Sequence, residues 1–247
     1  MLIPTLPNIL FLDIETVPCL EWAQLDEHTK ALFMKKFKKK FVDEYGYYED
    51  NGDVTDWHDL WLDNAPFHAE FNRVVALSCG LVVDQKQENT KGRVYVRCLG
   101  GNEAEILHQF LHVIEKAKPT ALCAHNGLGF DFAMLTRKLI LYCLPVPAVL
   151  DQRGKKPWEV PLLDTMQLWS CGEFRYMVSL DLLCHVFGFP SPKTAMDGSQ
   201  VFTAYKKGQI EEIKNYCAAD TVACINCFCR IMNLGFAYAE ADVQIKL

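Results

Sequence analysis

Residues 73–99, RVVALSCGLVVDQKQENTKGRVYVRCL, decide the fold, because they hold two apolar runs on either side of a polar turn. The runs 73–83 and 93–99 are rich in valine and have the length of strands, and the residues between them are polar or glycine. Two such runs joined by a short polar segment are typical of strands that pair antiparallel. This stretch therefore predicts two neighbouring strands of a sheet.

Apolar runs and helical patterns alternate on both sides of this pair. Residues 8–14 (NILFLDI) form a strand-like run ahead of it, and two more runs follow it at 120–124 and 161–164. Residues 103–117 instead repeat apolar side chains at helical spacing, and Pro119 stops that helix. We expect an α/β fold on a mixed five-stranded sheet, with a three-strand antiparallel meander, then parallel strands, and helices on its flanks.

The domain organisation follows from the length and from one segment without strand patterns. A chain of 247 residues and 28.2 kDa has the size of one domain, 1–247. Residues 19–70 are predicted to form a mostly helical insertion between the first two strands. Two amphipathic helices are expected there from the spacing of these side chains: Phe33, Phe37 and Phe41, then Trp57, Leu60 and Trp61.

Composition and charge exclude several classes of protein. Hydrophobic residues make up 50% of the chain and charged residues 23%, so it is globular rather than disordered. It is too short to hold a polymerase and a nuclease together, and no apolar run approaches the ~20 residues that span a bilayer. The net charge of −6 argues against a non-specific, high-affinity binder of duplex nucleic acid.

The cysteines point to a reducing compartment. There are eleven, an odd number, and the N-terminus has the pattern of a strand rather than of a signal peptide. We therefore expect free thiols and a cytoplasmic protein. The densest group, Cys224, Cys227 and Cys229, is expected to be buried in the core. A zinc site is the alternative, but the group lacks the second cysteine pair of a structural zinc site.

Two carboxylates stand at the end of the first predicted strand. Asp13 and Glu15 are two residues apart, so both side chains lie on one face of that strand. Open α/β sheets bind their ligands at the carboxyl ends of strands. Two acids placed there repel each other unless a cation lies between them.

Two further groups of polar residues would meet these acids. Asp131 follows the predicted strand 120–124 and falls near the start of a helix, where the helix dipole is an alternative reason for an acid. Tyr216 and Asp220 are four residues apart on the last predicted helix, about 209–234, and therefore share one face of it. A buried tyrosine and a surface aspartate are the structural alternative for that pair.

Three motifs, LDIET, NGLGFD and YCAAD in this order, resemble those of the DEDD 3′-5′ exonucleases, and the tyrosine marks the tyrosine subtype. SLDLLCHVFGFPSPKTAMDGSQV followed by IEEIKNYCAADTVA is similar to a signature of predicted 3′-5′ exonucleases related to the proofreading domain of family B DNA polymerases. The resemblance covers about 7–234 and is weakest in 19–70. It implies a ribonuclease H-like fold and hydrolysis of single-stranded DNA from its 3′ end, releasing nucleoside 5′-monophosphates.

The resemblance also implies catalytic roles for five residues and two divalent ions, Mg²⁺ or Mn²⁺, which favour oxygen ligands. Asp13 would bridge both ions. Glu15 and Asp220 would hold the ion that binds the attacking water, and Asp131 would serve the second ion. Tyr216 would orient that water.

Five other residues are candidates for holding the substrate. Thr16 would contact the terminal sugar, and His125 a phosphate unless it is a structural histidine. Asn126 and Phe130 would place the terminal nucleotide or shape the turn, with burial in the core favoured for Phe130. Lys193 would contact a phosphate or lie in a solvated loop.

Two more features have both a functional and a structural explanation. Asp164 is expected to cap the helix that follows it rather than to support the acids. The run Lys35-Lys36-Phe37-Lys38-Lys39-Lys40 would guide a nucleic-acid strand, or form the solvated face of an inserted helix, which is favoured.

Two alternatives to a DNA exonuclease remain open. The first keeps the chemistry and changes the substrate to RNA, as in an exoribonuclease or an oligoribonuclease-like enzyme. The second is a nucleic-acid-binding accessory subunit, although all four acids and the tyrosine are present. A polymerase or repair protein as partner is compatible with either, and no membrane association is expected.

Overall fold

The computed structural model describes residues 5–45, 54–85, 90–156, 159–173, 177–191 and 196–247, with the side chains of 41–45 and 54–56 left out. Six strands form one sheet in the order β5-β4-β1-β2-β3-β6. The strands are β1 (Ile9–Pro18), β2 (Asn72–Val83), β3 (Arg93–Leu99), β4 (Ala121–Ala124), β5 (Leu162–Asp164) and β6 (Val243–Lys246). The predicted α/β class with a mixed sheet is confirmed.

The sheet has one strand more than the five predicted. β6 pairs parallel with β3, with Val243 opposite Val94 and Ile245 opposite Val96. It has only four residues, VQIK, and most of it is exposed at the edge of the sheet. Its short, half-polar sequence lacks the apolar run that identifies a buried strand, which is why the pattern did not reveal it.

The parallel half of the sheet places the carboxyl ends of β4 and β5 beside the middle of β1. Phe11 on β1 lies opposite Cys123 on β4, and Cys123 lies opposite Leu163 on β5. Asp13 is therefore on the same edge of the sheet as the loop after β4 and as Asp164 at the end of β5. This is the edge at which α/β sheets bind ligands.

Eight α-helices are described. They are α1 (Glu27–Tyr45), α2 (Val54–Asn64), α3 (Glu103–Ala117), α4 (Asp131–Leu141), α5 (Thr165–Ser170), α6 (Leu180–Phe187), α7 (Val201–Lys206) and α8 (Ile210–Ile231). α3 has the predicted bounds: Asn102 accepts the Glu105 N–H at its start, and Lys118 ends it in a left-handed conformation. Across the described residues, no helix is both long and apolar enough to cross a bilayer.

α8 packs closely on the sheet and fixes the centre of the core. Phe228 on α8 meets Phe11 on β1 with ring centroids 5.4 Å apart. On β2, a Cβ at Gly80 would lie only 2.7 Å from Cγ2 of Thr221. The absence of a side chain at position 80 therefore lets α8 approach the strand.

The chain forms two compact units, Met1–Glu15 with Val74–Leu247, and Thr16–Arg73. The smaller unit spans residues 19–70, and it contains the helices α1 and α2. It has its own aromatic core, in which Phe33 packs against Trp61 at 4.9 Å and Phe71 at 5.4 Å between ring centroids. The two ends of the segment 19–71 lie next to each other, because the Cys19 N–H donates to the Phe71 carbonyl at 2.8 Å.

Candidate active site

Three acidic side chains converge beside the middle of β1, which continues past the predicted end at residue 14 to Pro18. Asp13 and Glu15 lie on one face of the strand, and Ile14 between them is buried. Asp220 of α8 joins them, so that one carboxylate oxygen from each residue lies within 4.8 Å of the others. Among the described residues, this is the one group of three or more metal-ligating side chains in such proximity.

Hydrogen bonds from β2 and to β1 hold α8 in this position. Ser78 Oγ donates to the Cys217 carbonyl at 2.9 Å and also contacts the Thr221 hydroxyl. Cys217 Sγ donates to the Asp13 carbonyl at 3.3 Å. The turn of α8 that carries Asp220 is thereby tied to the strand that carries Asp13. Sequence reasoning missed Ser78 and Cys217, because only their tertiary contacts distinguish them from ordinary core residues.

Asp131 reaches the same strand from the start of α4. Its side chain is only 3% exposed, and Oδ1 accepts the Ile14 N–H at 3.2 Å. Asp131 is outside the group of three, yet it lies near enough to raise the pKa of both Asp13 and Glu15. The structure therefore brings all four predicted acids to one edge of the sheet.

The electrostatics of the site are those of crowded, poorly hydrated carboxylates. Burial raises the pKa of Asp13 well above its usual value, and Asp220, Glu15 and Asp131 raise it further. The pKa of Glu15 is raised by burial, by Asp220 and by Asp131. Burial, with smaller contributions from Asp164 and Asp220, raises the pKa of Asp131 to about 7.

The donor set fits a divalent cation. Asp13 Oδ2 is buried, and among the described residues no hydrogen-bond partner for it is found. Burying an unpaired carboxylate oxygen is unfavourable unless a cation or a proton compensates it. Three carboxylates without a histidine or cysteine offer the oxygen ligands that Mg²⁺ and Mn²⁺ prefer.

Tyr216 completes the arrangement of five residues. It lies one turn before Asp220 on α8, it is 8% exposed, and its hydroxyl hydrogen-bonds to the Asp220 carboxylate. Burial and the charges of Asp220, Glu15 and Asp13 raise the pKa of Tyr216 well above its usual value. The phenol therefore keeps its proton at neutral pH and can donate it in a hydrogen bond.

The metal-free protein is expected to lose stability as the pH rises from about 4 to about 7. The pKa of Asp131 is near 3.8 in the unfolded chain and about 7 in the folded one, so the folded form binds more protons between these values. Asp131 alone contributes at most about 4 kcal/mol to this loss. Melting temperatures measured in EDTA across this range should fall less for Asp131→Asn than for wild type. Parallel curves for the two proteins would contradict this expectation.

The loop before α4 is held by one buried acid. Asp164 Oδ1 accepts the Asn126 N–H at 2.9 Å and the Met166 N–H at 2.9 Å, and Oδ2 accepts the Leu128 N–H at 3.1 Å. The predicted cap of α5 is confirmed by the bond to Met166. The two bonds to the loop were missed, because they join residues far apart in sequence.

Gly127→Ala is expected to lower the free energy of unfolding by about 1–3 kcal/mol. A Cβ at this position would lie 2.6 Å from the Ala124 Cβ and 2.7 Å from the Phe132 ring. Urea unfolding measures the effect, with Gly198→Ala as the matched control, since nothing lies within 4 Å of a Cβ there. Equal stabilities for the two variants would show that the loop accommodates the methyl group.

The candidate substrate residues have mixed placements. Both ring nitrogens of His125 are engaged, with Thr165 Oγ1 and the Val178 carbonyl, each at 2.9 Å, which is the arrangement of a structural histidine. Asn126 has a φ of 59°, and its carbonyl accepts the Gly129 and Phe130 N–H groups, so it shapes the turn.

The remaining candidates also differ from one another. Phe130 is half-buried, so it is not part of the fully buried core that its size favours. Thr16 donates its hydroxyl hydrogen to the Pro66 carbonyl at 2.7 Å. Lys193 lies outside the described residues.

The cysteine group lies in the core, and the lysine run forms the solvated face of a helix. Cys224, Cys227 and Cys229 are buried free thiols on α8, and none of them belongs to a metal-ligating group among the described residues. Lysines 35, 36, 38, 39 and 40 are exposed on α1, while Phe33 and Phe37 are buried beneath them. α1 is therefore an amphipathic helix with a basic outer face.

The fold is similar to part of a known polymerase. The chain matches the structure of the family B DNA polymerase from the hyperthermophilic archaeon Pyrobaculum calidifontis with a TM-score of 0.54 and 14% identity. The match covers 91% of this chain and 24% of the polymerase chain, so the protein corresponds to about a quarter of that enzyme's length. At this identity the likeness supports the fold, which is ribonuclease H-like as predicted.

Sequence comparison identifies the family. No curated protein matches the chain. A family model described as "Predicted 3'-5' exonuclease related to the exonuclease domain of PolB" matches residues 66–245. That span contains Asp131, Tyr216 and Asp220, and the structure adds Asp13 and Glu15 from β1, which lies ahead of it. The chain belongs to this family of predicted 3′-5′ exonucleases related to the exonuclease domain of PolB.

Proposed function

We propose that the protein is a metal-dependent 3′-5′ exonuclease that hydrolyses single-stranded DNA from its 3′ end and releases nucleoside 5′-monophosphates. The observation that carries the proposal is the convergence of Asp13, Glu15 and Asp220 within 4.8 Å, with Asp131 beside them. Like charges repel at such short separations, and a divalent cation relieves that repulsion. A group of half-buried carboxylates within 4.8 Å of one another is therefore typical of a site for divalent cations.

The cations would be held by Asp13, Glu15 and Asp220, with Asp131 serving from the start of α4. When bound, two divalent cations polarise a phosphodiester, lower the pKa of water and neutralise charge on the leaving oxygen. The Asp131 carboxylate is held in a fixed position, because it accepts the N–H of Ile14, the residue between Asp13 and Glu15 on β1.

Tyr216 is proposed to orient the attacking water. Its hydroxyl donates its one hydrogen to Asp220, and its oxygen can accept a hydrogen bond from a water molecule beside the carboxylates. It would not act as the base, since burial and neighbouring charges raise the pKa of its phenol.

The first test is the degradation of oligonucleotides by the purified chain. Single-stranded DNA and RNA labelled at the 5′ end are incubated with Mg²⁺, Mn²⁺ or EDTA. We expect a ladder that shortens from the 3′ end, depends on metal and is faster for DNA. Faster cleavage of RNA would identify an exoribonuclease instead. No cleavage of either polymer by folded protein that binds Mn²⁺ would support the accessory-subunit alternative.

The compartment and the partners are proposed from the thiols and the family. The part of the chain that the structure describes contains no disulfide, which is in keeping with a reducing cytoplasm. A 3′-5′ exonuclease related to a polymerase domain takes a nucleic-acid end as its substrate, and a polymerase or repair protein would supply that end.

A further inference from the structure

A cleft of about 520 Å³ with both polar and apolar lining lies between α7 and the first half of α8. Gln200, Thr203 and Lys207 line it from the side of α7, and Asn215, Tyr216 and Ala219 line it from α8. We call this space the α7–α8 cleft.

The lining comes from both helices and from the residues that flank α7. Thr203 lies on α7, Gln200 directly precedes that helix and Lys207 directly follows it. Positions 215 and 219 are four residues apart and lie on one side of α8. Apolar residues close the two helices beneath the cleft, since Val201, Ala204 and Ile213 are buried. The cleft is therefore an open space above a packed base.

Tyr216 connects the cleft to the acidic site. Its side chain is part of the wall of the cleft, and its hydroxyl hydrogen-bonds to Asp220. A molecule that fills the cleft therefore touches the residue that adjoins the three converging carboxylates. This adjacency indicates that the occupant belongs to the reaction.

The chemistry of the lining fits a nucleotide. The amide side chains of Gln200 and Asn215 offer both donors and acceptors, as the edges of nucleobases require, and Lys207 offers a cation for a phosphate. Glu212, also in the lining, would repel a phosphate and accept a hydrogen bond from a base amino group. The volume is that of a site for one small organic molecule.

We propose that the α7–α8 cleft binds one nucleoside monophosphate unit, its base against the amides and its phosphate towards Lys207. The inference rests on the proposed function, because it makes the cleft a subsite of the exonuclease. The unit comes either from the nucleic-acid strand or from the released product, and both present the same base, sugar and phosphate.

Calorimetric titration in EDTA tests binding without cations at the acidic site. The two probes are adenosine 5′-monophosphate with its deoxy form, and a single-stranded DNA oligonucleotide with a terminal phosphorothioate linkage. We expect Lys207→Ala and Asn215→Ala to weaken the binding of at least one probe fivefold or more. Lys206→Ala, which removes an adjacent exposed lysine that does not line the cleft, should leave binding within twofold of wild type.

The two probes distinguish the sources of the ligand. Weakened binding of the monophosphate alone identifies a product site, and weakened binding of the oligonucleotide identifies a strand site. Unchanged binding of both probes in Lys207→Ala and Asn215→Ala, or no binding of either to wild type, overturns the inference.

Steady-state kinetics separate this inference from the proposed function. The two cleft variants should raise KM for oligonucleotides at least fivefold and leave kcat within twofold of wild type. Cleavage with an unchanged KM in the two variants would show that the cleft takes no part in the reaction, and it would still support the proposed exonuclease. Binding in the cleft without cleavage by wild type would instead contradict the proposed exonuclease and support a nucleotide-binding protein.

Discussion

Asp13→Asn is expected to abolish metal-dependent hydrolysis and, in the same protein, to raise the melting temperature of the metal-free form. The carboxylate stands between Glu15 and Asp220 and has a buried oxygen, so at neutral pH its charge destabilises the folded state unless a cation is present. An amide of the same shape removes that repulsion and can donate to the neighbouring carboxylates. It also removes a ligand from the proposed cation site.

The expected magnitudes are large and opposite in sign. We expect kcat to fall roughly 10³-fold or more, as for the loss of a preorganised electrostatic group, and stability in EDTA to rise by about 1–2 kcal/mol. Mg²⁺ should stabilise wild type and not the variant. Asp59→Asn, at an exposed position on α2, is the control and should change neither quantity. A variant that is inactive and also less stable in EDTA would show that Asp13 acts as a structural residue.

Asp164→Ala is expected to be the most destabilising single substitution at this edge of the sheet. It leaves the N–H groups of Asn126, Leu128 and Met166 without their acceptor. An unsatisfied buried donor costs about 1–3 kcal/mol, so we expect a loss of roughly 3–5 kcal/mol after local relaxation. Asp164→Asn should lose less, because its amide oxygen still accepts.

Urea unfolding and hydrogen exchange test this expectation together. The exchange of the loop amides 126–128 should accelerate in Asp164→Ala at urea concentrations where the rest of the sheet stays protected. Asp59→Ala, at an exposed position outside any loop contact of this kind, is the control. A loss of stability below about 1 kcal/mol would mean that water replaces the carboxylate without cost.

Local patterns were sufficient for most of the elements. α3 and β3 have the predicted bounds because each is a run of one period with a clear stop, such as Pro119 after the helix. β6 was missed because a short edge strand is identified by its partner, β3, and not by its own composition.

Local spacing predicts the contacts in the site most directly where one element carries two of its residues. Strand alternation placed Asp13 beside Glu15, and helical spacing placed Tyr216 beside Asp220. That Asp131 would bond the Ile14 N–H depends on the packing of α4 against β1, which no local pattern encodes. His125 shows the same limit, since its partners at Thr165 and Val178 are 40 and 53 residues away.

The bond between Cys19 and Phe71 has a consequence for how the protein can vary in length. The ends of the segment between them are joined by a hydrogen bond from the Cys19 N–H to the Phe71 carbonyl at 2.8 Å. The segment also packs around its own aromatic core. Because the entropy of closing a loop grows only slowly with its length, a short hairpin turn or a much longer segment would fit the same junction. Insertions and deletions among homologous genes should therefore concentrate between these residues, while the distances among the acids of β1, α4 and α8 stay fixed.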